Sequence, residues 1–246
     1  MKHVFILLLI YNNCFAQDPK ADFEILNCEP IKANFLWAAQ TELTNLQYLE
    51  YLYYIKKNQG METHNKMLPD TAVWRNKQGY NEPYVAYYFR HPAYRNYPLV
   101  GITKEQAESY CEWLEIILND KFSHDPKHPV QKINVRLPTE AEWELAARGG
   151  NPNAIFPWQG EEMRRTDKKF KGQIKANYVR GRGDYMGIAG NLSEGADVTA
   201  PVKSYWPNAY GLYNMSGNVA EMISEDGRTK GGSWGSRAPF LEIDGE

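Results

Sequence analysis

The sequence contains few of the residues that usually build a metal or disulfide scaffold. Only three cysteines and five histidines occur in 246 residues, and the cysteines stand too far apart to form a zinc signature. The formal net charge is only −2, with no basic run, which argues against a protein that binds nucleic acid. No later apolar run reaches the length of about 18 residues that spans a bilayer, so we predict no transmembrane segment in the mature chain.

The first sixteen residues have the pattern of a signal peptide. Lys2 and His3 give a short basic start, and residues 4–11 form an apolar run that is too short to span a bilayer. The small residue Ala16 then fits a cleavage site, with Gln17 as the new N-terminus. We therefore predict an exported protein, periplasmic or extracellular.

Cys14 offers an alternative, because a cysteine near such a segment can be lipidated instead. Asn12 and Asn13 in front of it fit a lipidation site poorly, so we favour cleavage. The chain then divides into a signal peptide (1–16), a lead-in (17–33) and one domain (34–246).

Export would leave Cys28 and Cys111 in an oxidising compartment, which permits a disulfide between them. The sequence does not show whether the two residues meet. Two separate buried thiols are the alternative.

The middle of the chain predicts short helices in a loop-rich, aromatic-rich fold. Seventeen tyrosines and seven tryptophans accompany 19 glycines and 14 prolines, and residues 58–98 carry so many aromatics that we expect an ordered insertion packed into the core. Three capping boxes, in which a threonine and a Gln or Glu three residues later satisfy the first amides of a helix, mark helix starts at Thr44, Thr103 and Thr139. Strands are predicted at residues 34–39 and 134–137, with a strand entry at 199–202.

Glycine and oxygen-bearing side chains alternate near the end of the chain, in Tyr210–Glu221 and Lys230–Ser236. Glycine permits a left-handed backbone and close approach, and Asn214, Asn218 and Glu221 bring oxygen atoms at short spacing. Such a segment suits a hard cation or another ligand. A glycine-rich surface turn without a ligand is the alternative.

Several blocks of the sequence together resemble the formylglycine-generating enzyme (sulfatase-modifying factor) family. They are Thr41–Tyr48, Tyr97–Ile102 with Ala107–Trp113, Arg136–Arg148, Ala200–Val202, Asn208–Glu221 and Lys230–Trp234. The resemblance implies a single α+β domain related to C-type lectins, with short capped helices and small antiparallel sheets. It also implies further strands after Arg237, so the domain looks truncated at its C-terminus.

The resemblance implies two calcium sites. At the first, the matching ligands are the side chain of Asn214, the carbonyls of Gly217 and Val219, and the carboxylate of Glu221. At the second, they are Asn177, the carbonyl of Tyr178, a position near Glu194 and the carbonyl of Ala196. The second match is weaker, because Glu replaces the usual Asp, and capping of turns is an alternative role for both sets.

The enzymes of this family hold copper(I) on two cysteine thiolates, and the matching positions here are about Ser236 and Leu241. Neither side chain is a thiolate, the soft ligand that copper(I) prefers, so a copper-dependent oxidation of cysteine is not expected. The inherited pocket would be lined by Ser233, Trp234, Ser236 and Arg237. A serine without an evident His and Asp partner is a weak candidate nucleophile.

A second resemblance covers the insertion. Residues 68–75, 79–82 and 90–98 are similar to the insertion of gliding-motility lipoproteins, family relatives that serve gliding and type IX secretion as structural components. We therefore predict a calcium-stabilised pseudoenzyme that binds envelope or secreted proteins. The alternative is a formylglycine-generating-enzyme-like oxidoreductase, or another metal-dependent enzyme, with altered chemistry.

Overall fold

A computed structural model describes residues 4–6, 9–12, 28–32, 36–75, 80–123, 132–179 and 198–245. Its strands and α-helices are, in chain order, β1 (Val4–Ile6), β2 (Leu9–Asn12), β3 (Cys28–Lys32), β4 (Leu36–Ala39), α1 (Asn45–Asn58), α2 (Met61–Lys66), α3 (Glu82–Tyr87), α4 (Lys104–Ser123), β5 (Ile133–Arg136), α5 (Glu140–Arg148), β6 (Ala220–Met222) and β7 (Thr229–Lys230). Short 3₁₀ turns cover Thr71–Trp74, Pro92–Tyr94 and Ala238–Leu241.

The strands form two small sheets. One has four strands in the order β3-β4-β2-β5, and every neighbouring pair is antiparallel. The other has three strands in the order β1-β6-β7, in which β6 and β7 are antiparallel and β1 lies parallel to β6. Mixed helices and small, mainly antiparallel sheets are what the sequence predicted.

Both β1 and β2 lie within the segment predicted to be a signal peptide. In the uncut chain, β2 pairs Ile10 with Trp37 of β4 on one side and with Val135 of β5 on the other. It is therefore the strand that joins β4 to β5. Cleavage after Ala16 stays a prediction, and it would remove both of these strands.

The capping boxes explain where the longer helices begin. Thr44 accepts a hydrogen bond from the backbone of Gln47, and Thr139 does so from Glu142, with the reciprocal bond present in both cases. Thr103 and Gln106 exchange the same pair of bonds at 2.9 and 3.3 Å. The predicted strand entry at residues 199–202 is wrong, because this stretch is irregular. The amide and carbonyl of Ala200 bond to the Asn218 side chain, and the amide of Val202 bonds to the carbonyl of Asn96 at 3.0 Å.

The largest hydrophobic cluster lies between α1, α4 and the aromatic insertion. Tyr48, Tyr51 and Tyr110 contact one another there, with ring centroids 5.2–5.9 Å apart. From the insertion, Tyr88 is buried and bonds to Thr199 Oγ1 at 2.8 Å, whereas Tyr80 is 84% exposed. Part of the insertion thus packs as predicted. No helix in the described ranges has the length and hydrophobicity to cross a membrane.

Candidate metal centre

The Tyr210–Glu221 segment curls around a buried carboxylate that belongs to another part of the chain. Asn214 and Asn218 have positive φ angles of 52° and 63°, a conformation that L-residues other than Asn and Asp rarely adopt. This backbone directs both amide side chains at Glu42, which lies just before α1. The two Nδ2 atoms donate to Glu42 Oε2 and Oε1 at 2.7 and 2.8 Å.

Glu42 is an acid held in an almost dry site. It is 1% exposed, and burial raises the pKa of its carboxyl well above the ordinary value. The negative charge of Glu221 raises this pKa further, whereas the hydrogen bonds from Asn214 and Asn218 lower it. Glu42 is not among the metal ligands predicted from the sequence. The signal that could have found it is a lone acid directly before Leu43 and the capping box at Thr44.

Glu221 on β6 is the second buried acid. It is 1% exposed, its Oε2 accepts a hydrogen bond from Trp143 Nε1 of α5, and burial raises its pKa to about 8. Its Oε1 has no hydrogen-bond partner in the part of the chain that the structure describes. An orphaned buried oxygen of this kind calls for an explanation such as a bound ion.

Neither Glu42 nor Glu221 has a cationic side chain as partner among the described residues. Within residues 36–75, 80–123, 132–179 and 198–245, no Lys, Arg or His side chain forms an ion pair with Glu42 or Glu221. A buried carboxylate must be protonated or paired. A hard cation would pair both acids, and oxygen atoms of carboxylates, amides and backbone carbonyls are the ligands that it takes. By donor type these residues fit calcium, through the unpartnered Oε1 atom of Glu221, whereas both Glu42 oxygens already accept hydrogen bonds from the amides of Asn214 and Asn218.

Of the first predicted set, Asn214 and Glu221 are thus brought to one region, with Glu42 as an added member. Gly217 belongs to the same turn and has a φ of +82°. A Cβ atom there would lie 2.5 Å from the carbonyl oxygen of Asn177, so this position requires glycine. No set of three or more His, Cys, Asp or Glu side chains that could hold a metal occurs among the described residues, and a site here would depend on amide and carbonyl oxygens.

The second predicted set is described only in part. Asn177 is buried, and its Nδ2 donates to the carbonyl of Val198 at 2.6 Å and to Asn218 Oδ1 at 3.2 Å. Asn177 therefore contacts the turn that carries the first predicted set. The Tyr178 side chain packs with Phe156, while Glu194 and Ala196 lie outside the described residues.

The positions that match the copper thiols hold groups that serve packing and turns. Ser236 Oγ accepts from the amide of Ser233 at 3.0 Å and lies 3.3 Å from Ser233 Oγ. Leu241 is 0% exposed and packs with Phe156 and Tyr178. Among the described hydrogen bonds, neither serine hydroxyl pairs with a His or an Asp, so the structure supplies no activated nucleophile here.

The remaining members of the inherited pocket are Trp234 and Arg237. Trp234 stacks on Trp74 of the insertion, with ring centroids 5.4 Å apart and planes 23° apart. Arg237 is exposed and pairs with Val179 in an isolated β-bridge. The segment that would frame the chemistry is therefore in contact with the insertion.

Cys28 and Cys111 are reduced, buried thiols in β3 and α4, so the structure has the second of the two arrangements considered above. Burial raises the pKa of Cys28 to about 12 and also raises the pKa of Cys111 above its ordinary value. Only a thiolate is a good ligand or nucleophile. Neither cysteine replaces the absent pair.

Comparison with known proteins decides the family. The model of the sulfatase-modifying factor enzyme 1-like domain matches residues 16–243. The chain belongs to this family. This sulfatase-modifying factor domain is 35% identical over 130 residues to the formylglycine-generating enzyme of Mus musculus. The aligned part covers 53% of this chain and 27% of the mouse protein. The same domain is 36% identical over 132 residues to the formylglycine-generating enzyme of Streptomyces coelicolor, covering 53% of this chain and 32% of the relative.

One relative is named as inactive. The inactive Cα-formylglycine-generating enzyme 2 of Bos taurus is 29% identical over 126 residues, covering 51% of this chain and 32% of the bovine protein. The aligned part thus spans no more than a third of these relatives. Among solved structures, PvdO from Pseudomonas aeruginosa matches with a TM-score of 0.51 and 21% identity, covering 85% of this chain and 73% of PvdO, which supports a shared fold.

Proposed function

We propose that this sulfatase-modifying factor domain is a non-catalytic, calcium-stabilised module that binds or assembles proteins of the cell envelope. The observation that carries the proposal is the pair of positions matching the copper ligands, which hold Ser236 and the fully buried Leu241. Copper(I) needs soft thiolate ligands, and the two cysteines of the described chain are buried elsewhere. A relative named as inactive is compatible with a non-catalytic member of the family.

The cell-envelope role is a proposal from the insertion and the N-terminus. The insertion resembles that of gliding-motility lipoproteins, so a role in gliding or in a type IX secretion-like apparatus is proposed. Cleavage after Ala16 would deprive β4 and β5 of the strand between them. An open strand edge can accept a strand from another protein, which is the chemistry that an assembly module uses.

Calcium is proposed on Glu42, Asn214 and Glu221, with the carbonyls of Gly217 and Val219. The support is the absence of any described cation beside two carboxylates that are each 1% exposed. A second calcium ion is proposed on Asn177 and the carbonyl of Tyr178, with Glu194 and Ala196. We also propose that the mixed helix and sheet architecture is of the C-type-lectin-like kind, and that the protein is exported.

The test of the non-catalytic role is an oxygen-uptake assay on purified protein with copper(I) and a cysteine-containing peptide. A formylglycine-generating enzyme serves as the positive control. We expect no copper-dependent oxygen consumption and no aldehyde in the peptide, because no thiolate pair is present to hold the metal. Copper-dependent turnover of the peptide would overturn the proposal. Sequencing of the N-terminus after cell fractionation tests export, with Gln17 expected outside the cytoplasm.

A further inference from the structure

A cavity of about 470 Å³ lies behind α5, at the aromatic corner formed by Phe156, Pro157 and Trp158. The Phe156 and Trp158 rings are stacked, with centroids 5.0 Å apart and planes 3° apart. Trp206 lines the cavity as well. Its volume lies in the range typical of small-molecule sites, which combine apolar walls with a few polar groups.

A short hairpin brings two cations to this cavity. Arg164 and Ile174 form an antiparallel bridge, and the amide of Arg165 bonds to the carbonyl of Gln173 at 2.8 Å. Residues 165 and 175 therefore lie on the same face of the hairpin. Lys175 Nζ lies 5.7 Å from the centroid of the Trp158 ring, and the Arg165 guanidinium lies 4.7 Å from that of Trp206. Each cation thus stands over one indole, a favourable placement.

The described residues that line the cavity carry only positive charges. Its described lining residues include Arg148, Arg165 and Lys175 but no Asp or Glu. Arg148 is paired with Asp244 and Arg165 with Asp167 through its Nε atom. Lys175 has no ion pair within 4 Å among the described residues, and its Nζ donates only to the carbonyl of Gln159 at 3.2 Å.

Two more observations mark Lys175 and Trp158 as incompletely satisfied. Burial lowers the pKa of Lys175, with Arg165 acting in the same direction and Glu162 opposing, as expected when a partly desolvated cation lies near a second one. The Trp158 Nε1 atom is buried and has no hydrogen-bond acceptor among the described residues. Indole N–H groups usually find a partner when buried.

We propose that this cavity binds a small organic anion that carries a flat apolar ring. The anionic group, a phosphate, sulfate or carboxylate, would pair with Lys175 and Arg165, while the ring lies against Trp158 and Trp206. Guanidinium and ammonium groups are the usual partners of such anions. The proposal does not depend on calcium, on copper or on the non-catalytic role.

The experiment uses phenyl phosphate as the probe, with phenol and inorganic phosphate as its two halves. Calorimetry gives the affinities, and the indole N–H signals of ¹⁵N-labelled protein, assigned from Trp158→Phe and Trp206→Phe variants, give the location. We expect saturable binding of phenyl phosphate that shifts the Trp158 and Trp206 signals. Inorganic phosphate should bind at least about tenfold more weakly, and phenol should not saturate.

Lys175→Met removes the charge and keeps the length of the side chain, and Lys57→Met, at an exposed position of α1, is the matched control. The Lys175 variant should weaken phenyl phosphate binding at least about tenfold, whereas the control should leave it unchanged. If Lys175→Met does not fold, the salt dependence of the wild type decides, because the affinity should fall as sodium chloride is raised. No saturable binding, equal binding of phenol, shifts at other tryptophans, or salt-independent affinity would each overturn the proposal.

Discussion

Removal of calcium should destabilise this protein by an amount that a melting experiment resolves easily. Glu42 and Glu221 are each 1% exposed and have no described cation partner. Breaking a buried ion pair by removing one partner costs about 3–5 kcal/mol. Ligand binding gives a second figure: a free calcium concentration of one hundred times the dissociation constant raises the free energy of unfolding by about 2.7 kcal/mol. For a domain of this length the two values together correspond to a change of roughly 5–20 °C in melting temperature.

The assay compares melting curves in excess calcium and in excess chelator, at one pH and ionic strength. Glu42→Gln and Glu221→Gln keep the shape of each side chain and remove its charge, so the calcium-dependent shift should nearly vanish in both variants. Glu62→Gln is the matched control, because the Glu62 side chain is 87% exposed in α2. It should retain the full shift.

Two results would refute this reasoning. Equal melting temperatures of the wild type in calcium and in chelator would show that no calcium site exists at these acids. A full shift that survives in Glu42→Gln and Glu221→Gln would place the ion elsewhere. Magnesium gives a further check, since it demands a smaller and more rigid octahedral site and should stabilise less.

Three other predictions follow from the described contacts. The hydrogen bond from Arg136 lowers the pKa of Glu142 to about 2. The pair therefore stabilises the fold fully above the ordinary pKa of about 4.5, and this stabilisation should be lost as the pH falls from about 4.5 towards 2. Because the Arg136 side chain is 38% exposed, we expect the pair to contribute about 1 kcal/mol to the free energy of unfolding. The measurement is the loss of stability with falling pH, which should be steeper in the wild type than in Arg136→Met. Gly217→Ala should lower the free energy of unfolding in urea by about 3 kcal/mol, because the new Cβ atom would lie 2.5 Å from the Asn177 carbonyl oxygen at a φ of +82°. Gly227→Ala is the control: its φ is +71°, but nothing lies within 4 Å of the new Cβ atom, so it should cost only about 1 kcal/mol. Equal losses in the two variants would contradict the role of the contact with Asn177. Compared with the uncut chain, a variant that begins at Gln17 lacks β1 and β2 and should melt at a lower temperature, whereas equal melting temperatures would show that these strands do not support the fold.

Local signals predicted the helices because their causes are local. The threonines of the capping boxes act on amides three residues away, so the positions 44, 103 and 139 could be read directly from the sequence. Gly149, which ends α5, has the left-handed φ of 56° that glycine adopts readily at the end of a helix. Strand predictions at residues 34–39 and 134–137 agree with the ends of β4 and β5 within two residues.

The candidate metal centre could be predicted only in part, because its members come from distant segments. Asn214 and Glu221 share one glycine-rich stretch, and their spacing suggested oxygen ligands. Glu42 lies 172 positions before Asn214, and no local pattern connects them. Pairing of β2 with both β4 and β5 is likewise non-local, and its residues carry the competing pattern of a signal peptide.

Backbone packing alone accounts for Gly231 and Gly232 of the Lys230–Ser236 stretch. At Gly231, a Cβ atom would lie 2.8 Å from the carbonyl oxygen of Met215, and at Gly232, 2.7 Å from that of Phe240. These glycines are therefore required by backbone packing, whatever chemistry the neighbouring side chains perform. Ser236 and Leu241 face no such requirement for sulfur, since a hydroxyl satisfies the turn and a leucine fills the core. A sequence pattern of this kind reports the fold, and the side chains at the two ligand positions must be examined separately to assign the reaction.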